Sequence, residues 1–155
     1  MALDLGAEYL CTAWELHACG NYLSNRGQHS AALDRYVRCL DIQKILSPQN
    51  PQIAAMYNNA GTIHKMFNRF TKALELFNTS LALHVASATP CNNALAVIHF
   101  NIGTIYWAQR NTQETLHQLG KSIELTRLDP TSPQHLRYLR IRAGILASLP
   151  PPLRS

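Results

Sequence analysis

Residues 57 to 83, YNNAGTIHKMFNRFTKALELFNTSLAL, place apolar side chains three and four apart, the period of a helix, with one interruption. Small Ala60 and Gly61 fall in the first half, the break falls at Asn68-Arg69, and Ala73, Leu74, Phe77, Ser80 and Leu81 come after it. One helical hairpin is predicted. The same order of residues recurs upstream in ACGNYLSNRGQHSAALDRYVRCLDI and downstream in NIGTIYWAQRNTQETLHQLGKSIEL. Gly20, Gly61, Gly103 and Gly144 take equivalent places, 41, 42 and 41 residues apart. A period of this size means an array of stacked units rather than one globular core.

The first helix is predicted from about Leu3 to Ser24, with Leu10, Trp14, Leu16, Cys19 and Leu23 along it. Asn25-Arg26-Gly27 ends it, since glycine tolerates the left-handed conformation at a helix C-terminus. The second helix runs from Gln28 or His29 to Leu46, burying Ala32, Leu33, Tyr36, Leu40 and Ile42, and Ser47-Pro48 stops it. Asn50-Pro51 starts the next hairpin, a capping side chain before a proline that loses no bond in the first turn, and Thr89-Pro90 opens the one after in the same way. Helices then cover Ala94 to Ala108 and, past Asn111, Thr112 to Arg127. Asp129, Pro130, Ser132 and Pro133 form the last linker before a helix from Gln134 to Leu149. Pro150, Pro151 and Pro152 end that helix, and the tail 150–155 is expected to be extended or disordered.

A glycine, a small residue twelve on and a large apolar residue four later form the signature that the tetratricopeptide repeat (TPR) family is known by. Ala32 and Tyr36, Ala73 and Phe77, Thr115 and Leu119 fill the last two places, with Cys39, Ser80 and Ser122 at the small place three further along. The sequence resembles that family over residues 13 to 147. It departs in having Leu16, Tyr57 and His99 in place of the family's early tryptophan, and Thr115 where alanine is usual. The long units are similar to those of kinesin light chains and related polarity adaptors, which also share the Asn-x-Gly of Asn59-Ala60-Gly61 and Asn101-Ile102-Gly103. The resemblance implies an all-α fold, a right-handed superhelical stack of helical hairpins with about seven helices. It also implies one domain over 1–149, three hairpins closed by a terminal helix that caps the open end.

Composition adds bounds. With 155 residues, 46% of them hydrophobic and 15% charged, the chain is long and apolar enough to bury a continuous core. No apolar run approaches the roughly 20 residues a bilayer span needs, and MALDLGAEYL carries Asp4 and Glu8 instead of a basic block. A soluble intracellular protein is expected, cytoplasmic and with a cytoskeletal or ciliary association in view. Cys19 and Cys39 fall on small inward-facing places, so reduced thiols are expected rather than disulfides. No Cys/His spacing matches a metal site, and no cofactor is expected. The net charge of +5 is concentrated late, where Arg127, Arg137, Arg140, Arg142 and Arg154 face only Asp129. Either that is a solvated outer face, or Arg137 and Arg140 contact an acidic partner surface; nucleic acid is not the expected partner.

In the family the first helix of each hairpin lines the concave groove. The resemblance therefore assigns a peptide-binding groove to His17, Asn21, Asn58, Asn59, Thr62, Lys65, Phe100, Asn101, Thr104, Trp107 and Arg142. Asparagine amides bond an extended peptide backbone without reading its sequence, and Asn59 and Asn101 stand one repeat apart; helix packing is the other reading of both. Trp14 and Trp107 read as packing residues that align to groove-facing places. The family's clamp for chaperone C-termini is matched only at Asn21 and Asn59. His17, Val97 and Asn101 stand where its basic residues belong, so a carboxylate gains little. No GxSxG, HExxH, GxGxxG or P-loop is present, and an enzyme is not expected. Two functions fit: an adaptor holding a peptide or helix of a partner protein in the groove, or a structural subunit of a ciliary, cytoskeletal or ribonucleoprotein assembly.

Overall fold

The computed structural model describes residues 2–46, 51–87 and 90–150, with side chains from Thr12 onward except Leu46 and Pro51. Seven helices and no strand occur among them: α1 Ala2–Asn25, α2 His29–Leu46, α3 Pro51–Met66, α4 Phe70–Ala86, α5 Asn92–Ala108, α6 Thr112–Leu125 and α7 Pro133–Ser148. They form two compact units, Met1–Ala88 and Thr89–Ser155. Unit 1 holds the hairpins α1–α2 and α3–α4, with α3 packed on α2; unit 2 holds the hairpin α5–α6, with α7 packed on α6. The stop at Ser47-Pro48, the starts at Asn50 and Thr89, the side chains of Leu10 and Cys11, and the tail from Pro151 lie outside the described residues.

Each hairpin turns through the same helix-ending motif. Gly27 has φ 75°, Asn68 φ 57° and Arg110 φ 59°, all left-handed. The amide of each bonds back three residues, to Ser24, Lys65 and Trp107, and the next amide bonds back five, to Leu23, His64 and Tyr106. These paired bonds satisfy carbonyls that the helix end leaves open. Only the first hairpin uses glycine for it. A side chain with a β-carbon costs about 1–2 kcal/mol in this conformation, so Arg110→Gly should raise the stability of unit 2 by roughly 0.5–1 kcal/mol after the entropy of the unfolded glycine is set against it. A urea midpoint that falls instead would mean that the Arg110 side chain holds the turn.

Inside each hairpin, small residues let the helices approach. Ala32, Ala73 and Thr115 are buried, as are Tyr36, Phe77 and Leu119 four residues on. A Cβ on Gly20 would lie 2.6 Å from Tyr36 Cε1, and one on Gly61 would lie 2.8 Å from Phe77 Cε1. At Gly103 the neighbour is more forgiving, Gln118 Cβ at 3.3 Å. A third tie repeats across the hairpins. Cys39 Sγ donates to the Ala13 carbonyl at 2.8 Å, Ser80 Oγ to that of Ala54 at 2.6 Å, and Ser122 Oγ to that of Ala96 at 3.0 Å. These three donors are fully buried, so each hydrogen bond replaces hydration that the packing has removed.

Four details differ from the expectation. Cys19 is exposed, because the inward stripe of α1 runs through Ala13 and Gly20, and only Cys39 of the two thiols is buried. Trp14 is 58% exposed and packs little. Helix α6 ends at Leu125 rather than Arg127, where the amides of Thr126 and Arg127 bond only three residues back. Most consequentially, α7 is turned by one residue from the 41-residue period. Its buried positions His135, Tyr138 and Ile145 sit 40 residues after buried Leu95, Ile98 and Ile105 of α5. Ala143, not Gly144, thus takes the place of Gly103, and Gly144 takes that of Thr104. In this register His135 meets the Thr126 hydroxyl and Tyr138 stacks on Phe100. Leu136, Arg142 and Ala143, on the face where α3 and α5 meet their own partners, are exposed.

Candidate functional site: two equivalent clefts

Each unit contains a cleft on the same kind of frame, built from both helices of one hairpin and the first helix of the next repeat. In unit 1 the cleft is about 310 Å³ and is lined by Asn21, Ser24 and Asn25 of α1, Tyr36 of α2, and Asn59 and Thr62 of α3. A polar network lines it. Tyr36 Oη donates to Asn21 Oδ1 at 2.7 Å, Asn59 Nδ2 donates to the same oxygen at 3.1 Å, and Asn21 Nδ2 lies 3.3 Å from His17 Nε2. Burial pushes the Tyr36 phenol up, with the Asn59 and Ser24 side chains drawing it partly back. Burial also lowers His17, which suits a neutral ring whose Nε2 accepts from Asn21.

In unit 2 the cleft is about 340 Å³. Phe100, Gly103, Thr104 and Trp107 of α5 form one wall, Thr115 and Leu119 of α6 the floor, and Ile141, Gly144, Ile145 and Ser148 of α7 the other wall. With α7 in its true register the two clefts correspond place by place. Asn21 becomes Thr104, Ser24 becomes Trp107, Tyr36 becomes Leu119, Asn59 becomes Ile141, and Thr62 becomes Gly144. The polar groups that line the unit 1 cleft are thereby replaced by smaller or apolar ones, among them Trp107, which is 47% exposed at the rim. Phe100 is held in position by stacking on Tyr138, centroids 5.0 Å apart at 28°, and the Arg137 guanidinium lies 5.1 Å from its ring centre.

The groove residues assigned from the sequence divide accordingly. Asn21, Asn59 and Thr62 line the unit 1 cleft, and His17 supports it from behind. Phe100, Thr104 and Trp107 line the unit 2 cleft. Asn58 and Lys65 are half-buried beside these, Asn58 receiving the Thr62 hydroxyl on its carbonyl at 3.0 Å. Asn101 is only 9% exposed, inside the hairpin rather than on its surface, and Arg142 is exposed outside the cleft lining. Asn59 and Asn101 therefore do not present equivalent amides to solvent. By their spacing alone Tyr36 and Leu119 read as core residues only; the change from one to the other at a fixed place of the repeat is the signal that one cleft is polar and the other apolar.

Of the other candidate chemistry, His99 Nδ1 lies 2.7 Å from Gln118 Oε1, and Gln118 Nε2 donates to Glu114 at 2.7 Å, a chain that fixes α5 on α6. His135 is buried against the Thr126 hydroxyl at 2.9 Å. Among the described residues no group of three His, Cys, Asp or Glu side chains could hold a metal ion. No helix among them is long and apolar enough to cross a membrane.

The tetratricopeptide repeat family model matches residues 20–84. No curated protein matches the sequence. Among solved structures, the first TPR of Spaghetti (RPAP3) bound to the HSP90 peptide SRMEEVD aligns with a TM-score of 0.63 and 22% identity, over 88% of this chain and 94% of that one. The Sgt2 TPR domain from Aspergillus fumigatus gives 0.64 and 17%, over 90% and 85%. Nearly identical TPR-like repeats of a Podosopora anserina protein assigned as a kinesin light chain give 0.67 and 17%, over 87% and 65%. Residues 20–84 thus match the tetratricopeptide repeat family model, and the hairpin fold is shared with these structures.

Proposed function

We propose that the protein is a non-catalytic interaction module, an adaptor that holds a peptide or helix of a partner protein in the groove lined by the first helices of its hairpins. The observation that carries this reading is the open apolar cleft of unit 2. An unfilled apolar recess beside a half-exposed tryptophan is a surface that gains free energy when a side chain covers it. The Spaghetti TPR holds a chaperone peptide, but the clamp residues that a C-terminal carboxylate would need are not those of this chain. Here Asn21 and Asn59 are bonded to each other, and His17 carries lowered rather than fixed positive charge. The protein acts in the cytoplasm on this reading.

Selection from a displayed library of random peptides tests it. Recovered sequences should bind in solution with Kd on the order of micromolar, about −8 kcal/mol, and should compete with one another for unit 2. If no sequence binds above background, the module reading falls. The structural-subunit reading then takes over, favoured by the exposed Leu136 and Leu139 on the same helix as Arg137 and Arg140. Such a subunit would contact its assembly through the outer face of α7.

A further inference from the structure

We infer that the outer face of α7 docks an acidic amphipathic helix of a partner protein, which packs there as the second helix of a hairpin does. This face shares no residue with the unit 2 cleft, and the inference goes beyond the groove reading: each holds or fails without the other.

The other first helices of the chain show what this face is built to meet. Ala54, Ala60 and Gly61 of α3 are buried against α4, and Ala96, Ile102 and Gly103 of α5 against α6. The same places in α7 are Leu136, Arg142 and Ala143, with Leu139 where α5 has His99, and all four are exposed, Leu136 by 48% and Leu139 by 39%. Half-buried Leu146 continues the stripe. A helix that only closed the end of a stack would present a polar outer face; this one presents leucines around a small residue at the close-contact place. What packs on such a face in this chain is a helix with a small residue and a large apolar one four later, Ala73 and Phe77 or Thr115 and Leu119. Ala143 chooses between the two. A Cβ on Gly61 would lie 2.8 Å from the Phe77 ring, whereas one on Gly103 would lie 3.3 Å from its nearest neighbour, Gln118 Cβ. The partner's large residue is therefore of leucine rather than phenylalanine size.

Charge decides the rest of the partner. In a helix of 3.6 residues per turn Arg140 and Arg142 lie about 80° to either side of the leucine stripe, one along each edge. Both are exposed, and residues 130–155 contain no acidic side chain. The nearest carboxylates are engaged elsewhere, Asp129 with the Thr131 hydroxyl and Glu124 with Arg127. Arg142 stands where α3 and α5 bury Ala60 and Ile102, so a helix laid on the stripe covers its guanidinium and must supply a carboxylate to offset the lost water. A second copy of this chain is a poor source, because α2, α4 and α6 are each packed inside their own hairpins and none is free without opening one.

The test titrates the whole, isotope-labelled protein with blocked helical peptides carrying the sequence of residues 111–127, whose inner face is that of α6. The places bordering that face, 114, 116, 120, 121 and 123, carry glutamate in one peptide and lysine in its twin. The glutamate peptide should bind saturably and move the amide resonances of residues 136–146. Its lysine twin should bind about tenfold more weakly at low salt, with the gap closing as salt rises. Within the glutamate peptide, Leu119→Ala should weaken binding by about tenfold or more, and Leu119→Phe should weaken it as well. On the protein, Leu139→Gln should lower affinity by about tenfold without lowering the thermal midpoint, and Arg140→Glu with Arg142→Glu should reverse the preference in favour of the lysine twin. Should Leu139→Gln fail to fold, Leu136→Gln at the more exposed end of the stripe makes the same test. No saturable binding of the glutamate peptide, full binding by folded Leu139→Gln, or shifts centred on Phe100 and Trp107 instead of the outer face would each overturn the inference. Self-association of the protein that Leu139→Gln abolishes would overturn it too, by giving the face to a second copy. The groove reading is scored apart from this: library peptides held in the cleft bind wild type and Leu139→Gln alike.

Discussion

Leucine in place of Gly61 should cost unit 1 about 3 kcal/mol of stability, the upper end of what overpacking a close contact brings. A Cβ at this position would already lie 2.8 Å from Phe77 Cε1 and 2.9 Å from Cδ1. Neither partner can yield: the ring is fully buried, and the backbone of α3 is held beneath it by the Ser80 hydroxyl on the Ala54 carbonyl. The leucine must therefore push α3 and α4 apart along the hairpin. Urea unfolding monitored by circular dichroism measures the effect. Gly144→Leu is the matched control, since it meets open space and should lie within about 0.5 kcal/mol of wild type. Equal losses at the two positions would mean that helix propensity, not the Phe77 contact, is what glycine contributes.

Truncation from the other side should be larger still. Phe77→Ala removes a ring with no solvent-accessible surface from between two helices, and such deletions cost about 3–5 kcal/mol because the site relaxes only partly. The equivalent Leu119→Ala should cost less, about 2 kcal/mol, the low end for leucine. Its side chain already borders the open unit 2 cleft, so fewer packing contacts are there to lose. The comparison is made on the same unfolding curves, with the transition of each unit assigned by a probe in that unit. A Leu119→Ala loss as large as that of Phe77→Ala would show the cleft to be closed in solution and would weigh against its use as a binding surface.

The array is legible in the sequence because each hairpin needs the same three small or apolar contacts at fixed offsets, and those offsets survive in the residues themselves. Gly61, Ala73, Phe77 and Ser80 are where the pattern puts them, and each does what its size allows. Legibility fails where a residue's surroundings depend on an element that the pattern does not contain. Gly144 continues the period, yet α7 is turned so that His135 and Tyr138 are buried against its neighbours instead. Arg142 leaves the groove for the same reason. The asparagines are ambiguous in sequence because an amide serves a buried network and a groove equally well. Asn59 is committed to Asn21, and Asn101 is inside the hairpin. Cys19 and Trp14 show the limit of helical spacing, which fixes a stripe only to within a position: both are exposed beside buried Ala13 and Gly20.

Sulfur replaces oxygen at one of the three buried ties between helices, and the replacement has a practical side. Cys39 donates to the Ala13 carbonyl with no surface exposed, and burial pushes its thiol up, away from the reactive thiolate. Cys19 and Cys91 are exposed and are alkylated at once. A pulse of alkylating reagent that reaches Cys39 therefore does so only when α1 and α2 separate, and labelling followed at Cys39 itself, by mass spectrometry of its peptide, times the opening of that hairpin. The serines at the matching places of the other two are silent to the same reagent. The first hairpin thus carries an internal clock for local unfolding that the rest of the array lacks.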